Sequence, residues 1–172
     1  MKNFTFSFPT QVIFGRDAET HAGALSAPFG PNVMLLYGSD RIRRRGLLGR
    51  LTAGPADLEA HGLTVTLFGG IQENPVLSTA EEGRRLAKEK KITLLLAVGG
   101  GSVIDTAKAI SLGAKNSVPL WELYSGKAQT QRALPIGVQI RPPPPPFPPV
   151  RPTGSLSSAT MSSTKRRPWT SL

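Results

Sequence analysis

LLLAVGGGSVIDTAKAISL, residues 94–112, reads as a buried strand, a glycine-rich turn and the opening of a helix. The apolar run ends at Val98, three glycines follow, and Val103, Ala107 and Ile110 then recur at helical spacing. Glycine leaves room for backbone amides to approach a ligand closely. A helix N-terminus adds unpaired N–H groups and the positive end of the helix dipole. Gly99, Gly100, Gly101 and Ser102 therefore suit a phosphate group, with Ser102 offering a hydroxyl to a phosphate oxygen. Ser102 and Asp105 also have the spacing of an N-terminal cap. The same residues fit a tight glycine turn without a ligand. Gly99 and Gly101 satisfy G-x-G, but Ile104 stands where the usual dinucleotide fingerprint has its third glycine.

Outward from this unit the chain keeps the same rhythm. Strands are predicted over residues 11–14, 33–37, 63–68 and 92–98, and helices over 17–26, 41–51, 78–90 and 103–112. The third helix opens with Ser78 and Glu81 at capping-box spacing, just after Pro75. The strands at 33, 63 and 92 are nearly continuously apolar, as in a sheet covered by helices on both faces. Strand–helix alternation predicts an α/β fold, a Rossmann-like parallel sheet flanked by helices.

Two further turns carry polar groups. Gly38, Ser39, Asp40 and Arg41 follow the strand at 33–37, where an adenosine ribose sits in folds of this kind. A carboxylate there accepts from a ribose 2′-hydroxyl, and basic residues suit a 2′-phosphate. Arg41, Arg43, Arg44 and Arg45 crowd one predicted helix N-terminus, where cations oppose the dipole. They fit either an anionic partner or a solvated arginine-rich face. In GGIQENP, residues 69–75, Asn74 is kept out of the right-handed helical region by Pro75. Its amide can address a ligand, or the segment is an ordinary turn. His21 and His61 have no neighbour at metal-ligand spacing and read as solvated histidines.

The alternation fails after Val138. Residues 141–152 read RPPPPPFPPVRP, and nine of the 16 prolines lie beyond residue 139. Proline lacks an amide donor and fixes φ, so this stretch suits polyproline II but neither helix nor central strand. Two parts are expected: a dinucleotide-binding domain over 1–138 and a Pro-rich disordered tail over 139–172. The tail holds five basic residues and no acid, whereas 1–138 holds 16 basic and all 11 acidic residues. Half of the net charge of +10 thus belongs to the tail, which weakens a nucleic-acid reading. No window approaches a membrane span, and there is no cysteine. A soluble, cytoplasmic protein without nucleic-acid or membrane partners is expected.

The residues of 1–138 resemble the iron-containing (group III) alcohol dehydrogenases, in particular the butanol dehydrogenase-like branch. The matching pieces are FPTQVIFG at 8–15, LLYG at 35–38, GGIQENP at 69–75, EGRRLAKEKKITLLLAVGGGSVIDTAKAI at 82–110, PLWELYSGK at 119–127 and ALPIG at 133–137. The resemblance implies a dinucleotide-binding domain followed by a helical metal-binding domain. It implies hydride transfer between small alcohols or aldehydes and NAD(H) or NADP(H), with a divalent metal, iron or zinc. Carried over, Gly100, Gly101, Ser102, Val103, Ile104 and Asp105 match the diphosphate loop, and Asn74 matches a cofactor-contacting asparagine. Ser39 falls where NAD-preferring members tend to place an aspartate. With Arg41 nearby, that favours NADP(H) over NAD(H), although Asp40 departs by one residue. Family members often dimerise through this domain, which leaves a homodimer open.

The family's metal ligands, an aspartate and three histidines, come from its second domain. No His, Asp or Glu follows Glu122 here, so no metal ligand or catalytic group is assigned. The expectation is that a reading-frame shift replaced the continuation after about Val138, leaving a truncated chain inactive by itself. A shifted reading of residues 156–166 permits a stretch like the family's continuation; a divergent tail is the competing reading. A residual dinucleotide-binding module without catalysis is one alternative. The other is a ligand for SH3 domains through Pro146, Pro149 and Arg151, which fit P-x-x-P-x-R.

Overall fold

The computed structural model describes residues 10–38, 46–52, 58–130 and 132–139, the side chain of Leu47 apart. Within these, β1 (Asn32–Tyr37), β2 (Thr64–Phe68), β3 (Leu94–Val98) and β4 (Ile136–Gln139) form one parallel sheet in the order β2-β1-β3-β4. Leu36 lies opposite Phe68 on one side and Ala97 on the other, and Leu96 opposite Gly137. The expected α/β architecture is therefore present.

Side chains alternate across a strand, and here both faces are buried. Met34, Leu36, Leu95 and Ala97 join Ala87 of α3 (Leu77–Glu89) and Val103, Ala107 and Ile110 of α4 (Gly101–Lys115). On the opposite face Val33, Leu35, Leu94, Leu96 and Val98 meet Leu51 of α2 (Leu47–Thr52), with Leu58 and Leu63. The helices after β1 and β3 thus cover opposite faces, so the chain leaves these neighbouring strands in opposite senses. That is the topological switch point at which open α/β sheets bind ligands.

The two helices on one face approach closely through Gly83. A β-carbon there would collide with Ile110 Cδ1. Arg84 links the same helices: its Nε donates to the Gly113 carbonyl at 3.0 Å, and its Nη1 to Glu81 Oε2 at 2.8 Å. Glu81 Oε1 in turn accepts the Leu120 N–H at 2.8 Å, fixing the start of α5 (Leu120–Tyr124).

Several boundaries differ from the sequence-based expectation. Residues 11–14 are not a strand, and Val12 and Phe14 are 72% and 94% exposed. Apolar alternation makes a strand only beside a free sheet edge, and among the described residues none pairs with it. The helix expected over 17–26 breaks into a 3-10 turn (Ala18–His21), α1 (Ala22–Ser26) and a second turn (Ala27–Phe29). Asp17 at φ 56, the weak helix formers Thr20, His21 and Gly23, and Pro28 account for the break. Of residues 41–51, the segment 41–45 lies outside the described residues, and 47–51 are helical.

Neither predicted cap forms. α3 begins at Leu77 after Val76, with no side-chain cap, because Glu81 is engaged by Arg84 and Leu120. α4 begins at Gly101 after Gly100, so Ser102 already lies inside the first turn. Among the described residues no helix is long and apolar enough to cross a membrane.

Candidate dinucleotide site

Three segments converge at the C-terminal edge of the sheet. β1 ends at Tyr37, and Gly38 follows it, buried. β3 ends at Val98 and turns through Gly99, whose φ of 154° is open to glycine and unfavourable for other residues. The Gly99 N–H donates to the Gln139 carbonyl at 3.1 Å, tying this turn to the end of β4.

Residues 69–75 arrive from the end of β2 and cross the end of β1. The Gly70 N–H donates to the Gly38 carbonyl at 3.2 Å and the Ile71 N–H to the Tyr37 carbonyl at 3.4 Å. Gly38 permits this crossing. A β-carbon on it would lie 3.3 Å from the Ile71 carbonyl oxygen and 3.4 Å from Val103 Cγ2. Asn74 is exposed further along the same segment, in the left-handed region at φ 66°. It is outside the right-handed helical region, as its position before Pro75 requires.

The turn into α4 leaves donors free. The Val103 and Ile104 amides bond the Gly100 carbonyl at 3.1 and 3.2 Å, whereas those of Gly100, Gly101 and Ser102 meet no backbone acceptor among the described residues. Gly100 and Gly101 are exposed, and a β-carbon on either would meet nothing within 4 Å. Among the described residues, then, no side chain or backbone crowds Gly100 and Gly101, and three amides without a backbone acceptor stand at the start of a 15-residue helix. A cradle of bare amides in unobstructed space fits a dinucleotide diphosphate.

Other assigned residues divide by what they expose. Val103 is buried in the core and Ile104 packs against it, and both of their amides are already engaged by the Gly100 carbonyl. Asp105 is exposed and paired with Lys108 Nζ at 3.0 Å. Burial, reinforced by the Asp105 carboxylate, pushes the Tyr124 phenol up, with Lys108 opposing. Ser39 and Arg41 lie outside the described residues. Ile71, buried within an otherwise polar turn, carried no sequence signal beyond being its lone aliphatic residue.

Among the described residues no group of three His, Cys, Asp or Glu side chains stands where it can hold a metal ion. The described residues therefore do not fit a divalent metal, and no step is derived through one.

Comparison with known proteins finds relatives that share this fold. The family model for iron-containing alcohol dehydrogenase matches residues 9–139. A probable NADH-dependent butanol dehydrogenase of Bacillus subtilis is 42% identical over 140 residues, covering 81% of this chain and 35% of the relative. The NADPH-dependent aldehyde reductase YqhD of Escherichia coli is 36% identical over 142 residues, covering 80% and 35%. The crystal structure of NADH-dependent butanol dehydrogenase A from Thermotoga maritima superposes with a TM-score of 0.74 at 37% identity, over 80% of this chain and 34% of that one. The chain spans 35% of the length of each of those two curated relatives.

Proposed function

Because the chain belongs to the iron-containing alcohol dehydrogenase family, we propose that residues 1–138 bind a nicotinamide dinucleotide at the C-terminal edge of the sheet. The diphosphate rests on the amides of Gly100, Gly101 and Ser102, with Gly99, Val103, Ile104 and Asp105 completing the loop. Gly38 and Asn74 line the approach, and Ser39 and Arg41 read the adenosine ribose. The carrying observation is the run of three amides at the start of α4 that meet no backbone acceptor among the described residues, beside two glycines that no described atom crowds. NADP(H) is the favoured dinucleotide on the sequence alone, because Ser39 stands where the resemblance puts the aspartate of NAD-preferring members and Arg41 follows it two residues on. The relatives' names divide on this point, one naming NADH and another NADPH.

Hydride exchange between a bound dinucleotide and a small alcohol or aldehyde is the activity this site serves in the family reading. It requires the carbonyl to be polarised and held in near-attack geometry. Residues 123–172 contain no His, Asp or Glu, and residues 140–172 hold nine of the 16 prolines. The 172-residue polypeptide by itself therefore binds dinucleotide without turnover. Calorimetric titration with NADH and NADPH, beside butanal reduction with added ferrous or zinc ion, tests both halves. The expected result is binding, tighter for NADPH, with no aldehyde-dependent oxidation. No heat of binding from folded protein overturns the first half. Turnover that disappears on Gly101→Ala overturns the second.

A further inference from the structure

We infer that Ile71 is a positioning residue of the dinucleotide site, setting where residues 69–75 carry Asn74 and how they lie over Gly38. The inference rests on the dinucleotide reading above and adds a residue that makes no ligand contact. From residue 69 to residue 79 the chain has one buried residue, Ile71, at 6% exposure. Everything from Gln72 to Ser78 is exposed. Ile71 is thus the one buried side chain of an 11-residue stretch that runs into α3, whose remaining ties to the sheet edge are the close approach of Gly69 to the Tyr37 ring and backbone hydrogen bonds. Two of these are its own N–H to the Tyr37 carbonyl and its neighbour's to the Gly38 carbonyl.

The anchor also reaches the helix. Ile71 belongs to the same buried cluster as Val103 in the first turn of α4. Gly38 lies between the Ile71 carbonyl and Val103 Cγ2, 3.3 and 3.4 Å from where its β-carbon would be. Three segments carrying proposed ligand contacts thus converge beside this one side chain. Buried residues hold position because close-packed neighbours leave no alternative arrangement. Small displacements of binding groups lose affinity steeply.

The test compares Ile71→Ala with Ile92→Ala in the full chain. Ile92 is 5% exposed in the same cluster but precedes β3, at the opposite end of the sheet. Both truncations cost stability of the kind expected in a core. At a temperature where both variants are folded, Ile71→Ala is expected to weaken NADH and NADPH binding by about tenfold or more. Ile92→Ala leaves it near wild type, and Ile71→Val restores most of the loss. Amide exchange without ligand supplies an independent reading. The amides of residues 70 and 71 exchange faster in Ile71→Ala, while those of β3 do not. Unchanged exchange at residue 70, or equal weakening by Ile92→Ala, overturns the positioning role. Absence of dinucleotide binding by the wild type overturns the site reading instead, and the exchange arm is read regardless.

Discussion

Replacing Gly101 with alanine is expected to move stability and affinity in opposite directions. Gly101 is the first residue of α4, where a helical backbone accepts any L-residue, and a β-carbon there meets no protein atom within 4 Å. Such a substitution restricts the unfolded chain and stabilises by about 0.4–1 kcal/mol. For a domain of this size that raises the unfolding midpoint by roughly 1–4 °C. The new methyl group is not neutral towards a ligand. In a helix every Cα–Cβ bond tilts towards the N-terminus, so the methyl group projects into the space before the free amides. Displacing a phosphate oxygen from one charge-assisted hydrogen bond costs about 1.5–3 kcal/mol, which is roughly a tenfold to hundredfold loss of affinity. Thermal unfolding and calorimetric titration of the same preparation read both quantities. An alanine variant that is more stable yet binds NADPH as tightly as wild type refutes the assignment of the diphosphate to these amides. One that loses stability shows that Gly101 serves the fold.

Four further substitutions test the framework holding the site. Gly83→Ala drives a β-carbon into Ile110 Cδ1, an overpacking cost of about 1–3 kcal/mol partly offset by about 1 kcal/mol of helix propensity. Ile110→Val removes that carbon at a cost of about 0.5–1.5 kcal/mol. In urea unfolding the double variant is therefore expected to be more stable than the two costs added together, by at least roughly 0.5 kcal/mol; strict additivity would show that the helices adjust without strain. Burial raises the Glu81 pKa, but hydrogen bonds from Arg84 and the Leu120 N–H, with the charges of Arg84 and Lys88, hold it below the usual value. A depressed folded-state pKa contributes stability that is present above the unfolded value and lost as pH falls through the folded one. Glu81→Gln should flatten that acid limb, and an unchanged pH profile of the urea midpoint contradicts the coupling. Ser111→Ala removes the buried hydroxyl that donates to the Leu134 carbonyl at 2.6 Å. It should cost about 1–3 kcal/mol, measured by the same unfolding.

The strands that build the site were legible because burial on both faces makes them continuously apolar. Residues 33–37, 63–68 and 92–98 anticipate β1, β2 and β3 to within two residues. β4 was not legible: it is four residues long, contains Gly137, and takes its identity from pairing with β3. The caps misled for a related reason. Ser78 with Glu81, and Ser102 with Asp105, have capping residue types at capping spacing. Glu81 is committed to a contact 39 residues away, at Leu120, and the glycines before Ser102 let α4 start earlier. Local chemistry was read correctly as compatible and lost to partners that only the tertiary structure supplies.

The same distinction explains why the glycine turn could be recognised and the rest of its surroundings could not. Free amides at a helix N-terminus are a local property, written in three successive glycines and the apolar spacing after them. What brings residues 69–75 to the same edge of the sheet is not local. β2 and β3 are separated by β1, so the segment leaving β2 reaches the crevice only by crossing the end of β1. That crossing is made with a glycine at 38, where a β-carbon would be tight at 3.3 Å from the Ile71 carbonyl, a backbone bond from Gly70, and one aliphatic side chain buried at 71. Each is unremarkable in sequence. Together they bring residues 36 positions apart in the chain to one edge, where the switch in direction between β1 and β3 already leaves a gap for a ligand. Losing Ile71 while keeping every glycine should therefore leave the amides bare and the fold intact, but the dinucleotide held by one wall instead of two.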